Sequence, residues 1–402
     1  MKILMVTPYL PLPGYSGGQT RSFNLLKSLS KKCEVTLFSF VLPDQEPKHI
    51  KHLEKYCKKI ITIKRGKTWS LKKILFTGFS SYPFLVANYF SPPLKKSIDS
   101  ELKKNRYNLV HVECFYLMPN IPNAKIPILL VDQTIEFAVY QHFVESLPKK
   151  FLFLKPLFWL DVFKLKLWET LFWKRTDCLV AVSKEDQKLM KRLSKRKVKI
   201  VPNGVDEILI KQKQVKKHPQ PTVLYGVANF KWMQNKEGAM NLLKFVWPKI
   251  KKKIPEAKLH IAGRHSAELL AKRKELIKFP ESVKIDEVKD AQLTYRKSWV
   301  LVAPMRSGGG SRTKFFEAMA CSLPVVTTPE GIEGLDAEKG KEVVIGDSFS
   351  QLAQAAVDLL KNRKKREKIG AAGRQLVKKK YSWEVSAQKL LKIYQRIAHE
   401  KS

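Results

Sequence analysis

Short apolar segments alternate with longer amphipathic segments along the whole chain. In the first half, apolar runs rich in β-branched residues predict strands at residues 3–7, 35–40, 60–63, 109–113, 128–132, 178–183 and 198–201. Apolar residues at helical spacing predict helices between several of these strands, for example at 18–30 and 151–175. Continuous apolar strands joined through helices are typical of parallel sheets that are covered on both faces.

The same alternation restarts after a turn signal at Pro202-Asn203-Gly204 and a polar stretch at 211–221. Beyond that stretch, the pattern predicts strands at 222–227, 258–262, 299–303 and 324–328, and helices at 237–253 and 313–321. We therefore expect an α/β protein with two doubly wound domains, at residues 1–205 and 206–380, and a final helical segment at 381–402. Ligands of such sheets bind beyond the carboxyl ends of the strands, so we expect a site in a cleft that the two domains face.

Charge is the outlier of the composition, because 76 Lys and Arg against 36 Asp and Glu give 402 residues a formal charge of +40. A surplus of that size raises nucleic acid and anionic membranes as partners. Residues 1–205 carry +21 and residues 206–402 carry +19, whereas a DNA-binding arm would concentrate the charge. We interpret the surplus mainly as solvated basic faces, with an anionic membrane surface as the second interpretation and no specific nucleic-acid partner.

The five cysteines are far apart and form no Cys-x-x-Cys pair, which favours buried thiols in a reducing compartment. The N-terminal apolar run becomes polar at Thr7-Pro8, too early for a signal peptide, and no run reaches the roughly 18 apolar residues of a spanning helix. We therefore expect a cytoplasmic protein, with the inner face of the cell membrane as a place where it could attach.

The strongest chemical signal follows the strand predicted at 299–303. Three glycines, an N-cap candidate and two cations open the next helix: Gly308, Gly309, Gly310, Ser311, Arg312 and Lys314. Cations in a first helical turn oppose the helix dipole, and a bound anion would remove that cost. Arg with Lys suits a diphosphate, and Glu317 could accept the vicinal hydroxyls of a ribose. The alternative is a glycine-rich turn beside a solvated helix.

Two weaker signals lie in the first domain. Gly17 and Gly18 open a helix after the first strand, where backbone N–H groups can approach an anion, although such a pair is often only a turn. His111 and Asp132 end neighbouring predicted strands and Glu136 follows, so the three are catalytic candidates on the expected cleft side, each with a purely structural alternative. The chain contains no Asp-x-Asp, His-Glu-x-x-His, Gly-x-Ser-x-Gly or Cys/His cluster, so we expect neither a protein-held metal nor a cofactor.

Four segments in order resemble the GT-B glycosyltransferases of family 4, also called glycosyl transferases group 1. They are residues 3–8 with Gly17-Gly18, residues 179–184, residues 198–206, and Glu317-Ala318-Met319-Ala320 with Leu323-Pro324-Val325-Val326. The family commonly has two glutamates seven residues apart, and here Glu317 matches the second while Gly309 stands at the first. The chain thus resembles a Gly-Gly-Gly-x-Arg-x-Lys subgroup, which tends to carry a Trp-x-x-Asn segment, here residues 232–235.

This resemblance implies a retaining, metal-independent glycosyltransferase that moves a sugar from a nucleoside diphosphate sugar to a cell-envelope or surface-glycan acceptor, lipid-linked or polysaccharide. It places the donor at Gly308–Gly310, Arg312, Lys314 and Glu317, and it implies a last helix, opened by Tyr381-Ser382-Trp383-Glu384, that crosses back to the first domain. Alternatives are another nucleotide-sugar enzyme of the same fold and a non-catalytic protein that binds nucleotide sugars or nucleic acid. The aromatic-basic stretch 149–175 is expected to be mostly core, with membrane docking as its alternative.

Overall fold

The chain folds into two compact units, each built around one parallel sheet. A computed structural model describes residues 1–14, 16–42, 45, 47–66, 70–145, 147, 149–211, 215–266, 277–306 and 313–400. The first unit contains residues 1–202 and the C-terminal segment from Ser386 onward, and the second unit contains the described residues between Asn203 and Val385.

The first unit is a seven-stranded sheet, and it confirms all seven strands that the sequence predicts. The strands are β1 (Lys2–Thr7), β2 (Glu34–Val41), β3 (Lys59–Lys64), β4 (Leu109–Glu113), β5 (Ile128–Asp132), β6 (Cys178–Ala181) and β7 (Val198–Ile200). Their order is β3-β2-β1-β4-β5-β6-β7, with every pairing parallel. The central strands β1 and β4 are buried almost throughout, which explains their unbroken apolar sequence.

Helices cover both faces of this sheet. They are α1 (Gly17–Leu29), α2 (Pro47–Leu53), α3 (Leu71–Phe79), α4 (Phe84–Tyr89), α5 (Pro92–Lys104), α6 (Glu136–Glu145), α7 (Lys155–Arg175) and α8 (Lys184–Ser194), with 3₁₀ helices at Phe115–Asn120 and Lys149–Leu154. Helix α1 begins at a capping box in which Ser16 and Gln19 each cap the other's backbone N–H. This cap fixes where the chain leaves the loop after β1.

The second unit is a six-stranded parallel sheet. Its strands are β8 (Thr222–Asn229), β9 (Lys258–Arg264), β10 (Val283–Asp286), β11 (Val300–Ala303), β12 (Val325–Thr327) and β13 (Val344–Ile345), in the order β10-β9-β8-β11-β12-β13. The sequence predicted four of these strands and missed β10 and β13. Both are short edge strands that are only half-buried, so they lack the continuous apolar run by which the central strands were recognised.

The helices of the second unit lie between its strands. They are α9 (Glu207–Lys211), α10 (Met233–Asn241), α11 (Trp247–Lys253), α12 (Ala291–Lys297), α13 (Thr313–Ala320), α14 (Pro329–Ile332), α15 (Phe349–Lys361) and α16 (Arg363–Lys380). The helix predicted at 237–253 is interrupted by a π-helical turn at Leu242–Val246. Pro248 follows that turn and cannot donate a backbone hydrogen bond into it, which accounts for the widened turn.

The last helix, α17 (Trp383–Glu400), closes the chain. From Ser386 onward its residues cluster with the first unit: Ser386 Oγ donates to the Pro202 carbonyl at 2.8 Å, and the Tyr394 hydroxyl lies 2.5 Å from His111 Nδ1. Among the residues that the structure describes, no helix is long and apolar enough to cross a membrane.

Candidate functional site

Each sheet has a point where the strand order reverses, and several of the candidate residues lie near it. In the second unit the connections lead outward from β8 toward β10 on one side and from β11 toward β13 on the other, so the reversal lies between β8 and β11. In doubly wound sheets this is where ligands bind. The predicted Gly308, Gly309, Gly310, Ser311 and Arg312 follow β11 but lie outside the described residues.

Glu317, on helix α13, is joined to both sides of this reversal. Its Oε2 accepts a hydrogen bond of 3.0 Å from the hydroxyl of Tyr295. That hydroxyl in turn accepts the backbone N–H of Val227 at 2.9 Å, at the carboxyl end of β8. A relay of three groups therefore links helix α13, helix α12 and strand β8.

A bulge in β8 makes the Val227 N–H available for that relay. The register with β9 shifts between Tyr225 and Ala228, so Val227 leaves the ladder. Gly226 has φ +118°, and a Cβ at that position would lie 2.1 Å from the Ala262 carbonyl oxygen. Only glycine fits this backbone, so the position is fixed by local geometry as well as by chemistry.

Burial raises the pKa of Glu317 to about 7, although the hydrogen bond from Tyr295 favours the ionised form. The carboxyl is half-buried rather than sealed. It is thus poised near neutral pH, where a hydroxyl-bearing ligand that donates to it would favour ionisation.

Lys314, also on α13, lies at the same reversal with a buried side chain. Its Nζ donates to Asn235 Oδ1 at 2.9 Å, lies 3.6 Å from Met305 Sδ, and sits 4.9 Å from the centre of the Tyr225 ring. Asn235 belongs to the Trp-x-x-Asn segment that the sequence singled out, so the structure joins that segment to the Lys of the glycine-rich motif. The donor roles of Lys314 and Glu317 remain predictions.

The first unit reverses its strand order between β1 and β4. Gly18 lies in the first turn of α1, the helix that follows β1. A Cβ on Gly18 would meet the Tyr9 hydroxyl at 1.8 Å and Gln133 Oε1 at 2.6 Å. Gly17 and Gly18 thus open α1, and at Gly18 the neighbouring polar side chains leave no room for another side chain. The binding of a nucleotide-sugar donor by the backbone of Gly17 and Gly18 remains a prediction.

His111 lies inside β4, and the strand ends two residues later at Glu113. His111 Nε2 is 3.2 Å from Glu113 Oε1, and its other nitrogen faces Tyr394. Glu113 Oε2 also accepts Gln133 Nε2 at 2.5 Å and lies 4.0 Å from the guanidinium Nε of Arg21. All of these side chains except Gln133 are buried, so this end of the sheet is a closed polar network.

Charge decides the state of Glu113. Burial alone would raise its pKa, but the hydrogen bond and charge of His111, the charge of Arg21 and the hydrogen bond from Gln133 outweigh it and lower the pKa. For Arg21, burial lowers the pKa of the guanidinium, and the attraction of Glu113 opposes that shift. The network thus holds a buried carboxylate beside a buried guanidinium.

Asp132 and Glu136 do not join His111 in this network. Asp132 Oδ1 accepts the Phe115 N–H at 2.9 Å and Oδ2 accepts the Trp173 indole N–H, while burial raises its pKa to about 7. Burial and the charge of Asp132 raise the pKa of Glu136 to about 8, and its N–H binds Glu169. Both carboxylate oxygens of Asp132 are thus taken up within the first unit.

Sequence inspection missed Arg21, Glu113 and Gln133 in the first unit and Tyr295 in the second. Glu113 had a signal, because it is the last residue of a strand whose third residue is His111. Tyr295 had none, since a tyrosine in an amphipathic helix looks like an ordinary core residue. Within the described residues, no group of three or more His, Cys, Asp and Glu side chains is placed to hold a metal ion.

Two family models match the sequence. Residues 15–208 match Glycosyltransferase Family 4, and residues 221–362 match Glycosyl transferases group 1. Phosphatidyl-myo-inositol mannosyltransferase of Mycobacterium leprae is 30% identical over 210 residues, covering 49% of this chain and 53% of that protein. Spore coat protein SA of Bacillus subtilis is 30% identical over 136 residues, covering 33% and 35%. The chain thus spans about a third to a half of the length of the curated relatives it matches.

Solved structures share the whole fold at low identity. Sucrose-phosphate synthase of Thermosynechococcus elongatus matches with a TM-score of 0.71 and 17% identity over 100% of both chains. HepE of Anabaena, in complex with UDP and glucose, matches with a TM-score of 0.67 and 14% identity over 98% of this chain and 99% of that one. The chain therefore has the GT-B fold, and it matches the Glycosyltransferase Family 4 model at residues 15–208 and the Glycosyl transferases group 1 model at residues 221–362.

Proposed function

We propose that this protein is a retaining glycosyltransferase that takes a sugar from a nucleoside diphosphate sugar and needs no protein-held metal. The observation that carries the proposal is the relay from Glu317 through Tyr295 to the Val227 N–H at the strand reversal of the second unit. A carboxylate held there, with a cation on the same helix at Lys314, offers a ribose and a diphosphate matching partners.

Similar proteins support the donor class. HepE has been crystallised with UDP and with UDP-glucose, TarM of Staphylococcus aureus has been crystallised with UDP, and a mannosyltransferase of Corynebacterium glutamicum is GDP-mannose-dependent. A pyrimidine or a purine diphosphate sugar is therefore the donor we propose, with Glu317 on the ribose hydroxyls. The glycine-rich residues Gly308–Gly310 and Arg312, with Gly17 and Gly18, complete the donor assignment.

The chemical problem is the departure of a diphosphate while positive charge develops at the anomeric carbon of the sugar. Donors already aimed at the leaving group stabilise it without reorganising, which is usually the largest single catalytic contribution. Arg312, Lys314 and the loop N–H groups would do this here. His111, Asp132 and Glu136 remain the candidates for the acceptor side.

A lipid-linked or polysaccharide acceptor at the cell envelope is the one we propose. Two relatives are a phosphatidyl-myo-inositol mannosyltransferase and a mannosyltransferase that acts on a phosphatidylinositol monomannoside, and TarM was crystallised with an α-GlcNAc-glycerol. All three names combine a sugar with a glycerol, inositol or phospholipid group. A cytoplasmic protein with access to the inner face of the membrane fits such an acceptor.

The test is product analysis with UDP-glucose, UDP-GlcNAc and GDP-mannose and a lipid extract as acceptor, with and without EDTA. We expect one donor to be consumed, an α-linked product from an α-configured donor by NMR, and no loss of turnover in EDTA. In Glu317→Ala, turnover should fall by about 10²–10³-fold while the fold is retained. Glu256→Ala, at an exposed carboxylate of the same unit, is the matched control. Wild-type turnover in Glu317→Ala would contradict the donor assignment, and an inverted product would contradict retention.

A further inference from the structure

Helix α7 has two apolar faces, although only one of them packs into the core. Val162, Leu165, Phe172 and Trp173 are buried against the first unit. The opposite face carries Leu157, Leu160, Phe163, Leu167 and Leu171, spaced three or four residues apart, with Leu157 59% and Phe163 58% exposed. A helix on a core normally turns a polar face to water, so this outward stripe needs another explanation.

Helix α3 continues the same apolar surface. Its exposed side chains are Leu71, Ile74, Leu75, Phe76 and Phe79, and Phe79 is 91% exposed. Lys164 of α7 donates to the Thr77 and Ser80 carbonyls at 2.8 and 2.7 Å, and the Trp168 indole donates to the Ser81 carbonyl at 2.8 Å. These bonds fix the end of α3 on α7. We call the exposed side chains of both helices the α3/α7 face.

The concentration of apolar side chains on this face is high. Of the 19 large apolar side chains that are exposed among the described residues, 5 lie on α3 and 9 lie between Phe151 and Leu171. The expectation that stretch 149–175 is mostly core is therefore wrong for its aromatic residues. Phe172 and Trp173 are buried, Phe158 and Trp168 are half-buried, and Phe151, Phe153, Trp159 and Phe163 are exposed.

The charge around the face is positive. Residues 70–79 and 149–175 contain nine Lys and Arg and two acidic residues. Both acidic side chains serve internal hydrogen bonds, because Asp161 accepts the Phe84 N–H and Glu169 accepts the N–H groups of Glu136 and Phe137. Two of the cations also bond internally, because Lys73 donates to Asn88 and Lys164 donates to the two carbonyls of the α3 end. Among the described residues of these segments, the exposed cations beside the apolar side chains are Lys166, Lys174 and Arg175.

We propose that the α3/α7 face docks on an anionic lipid bilayer, with its apolar side chains in the acyl boundary and its cations on the headgroups. Helix α7 has 21 residues and is about 30 Å long. When such a helix lies in the membrane interface, its apolar side chains contact the acyl chains while its cations contact the headgroups. A second copy of this chain is a poorer occupant, because it would bring two basic surfaces together. The face is built from the first unit alone, so it stands independently of sugar transfer.

The test is flotation of the 402-residue protein with phosphatidylcholine vesicles that contain 0 or 30% phosphatidylglycerol, at 0.15 M salt. We expect binding to the anionic vesicles only, weakened at 0.5 M salt. Leu160→Ser/Phe163→Ser should bind at least tenfold more weakly than wild type, with an unchanged thermal midpoint. Ile208→Ser/Phe245→Ser, which removes two equally exposed apolar side chains from the second unit, should bind like wild type.

Three results would overturn the proposal. The first is a wild-type protein that does not float with anionic vesicles. The second is a Leu160→Ser/Phe163→Ser variant that binds them as well as wild type. The third is a wild-type dimer in sedimentation velocity that this variant abolishes while neither protein binds lipid, because the face would then be an interface between copies.

Discussion

The two strand reversals of this molecule are built in opposite ways. In the second unit, Lys314 and Glu317 lie three residues apart on one helix, and Glu317 is only half-buried. In the first unit, Arg21, His111, Glu113 and Tyr394 come from distant parts of the chain and are sealed from solvent. The first arrangement leaves the Glu317 carboxyl partly open to solvent, whereas the second buries all of its charged groups. Equivalent positions in two similar sheets thus differ in how far solvent reaches their charged side chains.

The largest effect should come from breaking the sealed network. In Glu113→Ala the buried guanidinium of Arg21 loses its counter-charge, so we expect the free energy of unfolding to fall by about 3–5 kcal/mol. Urea unfolding followed by circular dichroism measures it. Asp99→Ala, which removes an exposed pair with Lys103, should change the free energy by less than about 0.5 kcal/mol. A loss below about 1 kcal/mol in Glu113→Ala would mean that the buried guanidinium of Arg21 does not depend on Glu113 as its counter-charge.

Breaking the hydrogen-bond relay of the second unit should lower the free energy of unfolding by a smaller amount. Tyr295→Phe leaves the Val227 N–H without its acceptor, which should lower the free energy of unfolding by about 1–3 kcal/mol. The same measurement on Tyr56→Phe, whose ring packs on Phe23 in the first unit, should show a change below about 0.5 kcal/mol. Equal effects of the two substitutions would show that the Tyr295 hydroxyl is not part of a relay.

The raised pKa of Glu317 predicts a pH dependence of stability. Because the folded carboxyl titrates at about 7 and the unfolded one near 4.3, the folded state holds the extra proton between these values. Stability should therefore fall as pH rises from about 4.3 through about 7. In Glu317→Gln this fall should be smaller by about 1–2 kcal/mol between pH 5 and pH 8, allowing for partial exposure.

Thermal midpoints at pH 5 and pH 8 check this prediction. The control is Glu256→Gln, which removes an exposed carboxyl and should leave the wild-type pH dependence in place. If Glu317→Gln shows the same fall as wild type, the carboxyl is not held in a desolvated site.

The smallest effect concerns the last helix. Tyr394→Phe removes the hydroxyl beside His111 Nδ1, and we expect a loss of about 0.5–1.5 kcal/mol in the free energy of unfolding. If the C-terminal helix stabilises the first unit through this contact, Glu113→Ala and Tyr394→Phe should not be additive, since both act on His111. Strict additivity in the double variant would separate the two contacts.

The contrast also explains how much the sequence could reveal. The central strands were predicted because burial on both faces demands an unbroken apolar run, and Lys314 with Glu317 was predicted because the motif is contiguous. The His111–Tyr394 contact joins residues 283 positions apart, so no local sequence pattern predicts it. The edge strands β10 and β13 were missed for the opposite reason, since partial burial leaves them without a strong pattern.

The exposed stripe on α7 shows a further limit of periodicity. Apolar residues all around a helix predict burial on every side, yet one face of α7 is open. Sequence patterns report which side chains avoid water, and they do not tell whether protein or lipid replaces it. The structure separates the two faces by showing which one is buried within the first unit.

The central claim is that Glu317 binds the nucleotide of a sugar donor at the strand reversal of the second unit. Calorimetric titration of UDP and GDP into wild type, Glu317→Ala and Glu256→Ala tests it most directly. We predict that one nucleotide binds wild type and Glu256→Ala alike and binds Glu317→Ala at least about tenfold more weakly, a loss of about 1.4 kcal/mol or more. Equal affinity in a folded Glu317→Ala protein would contradict the claim.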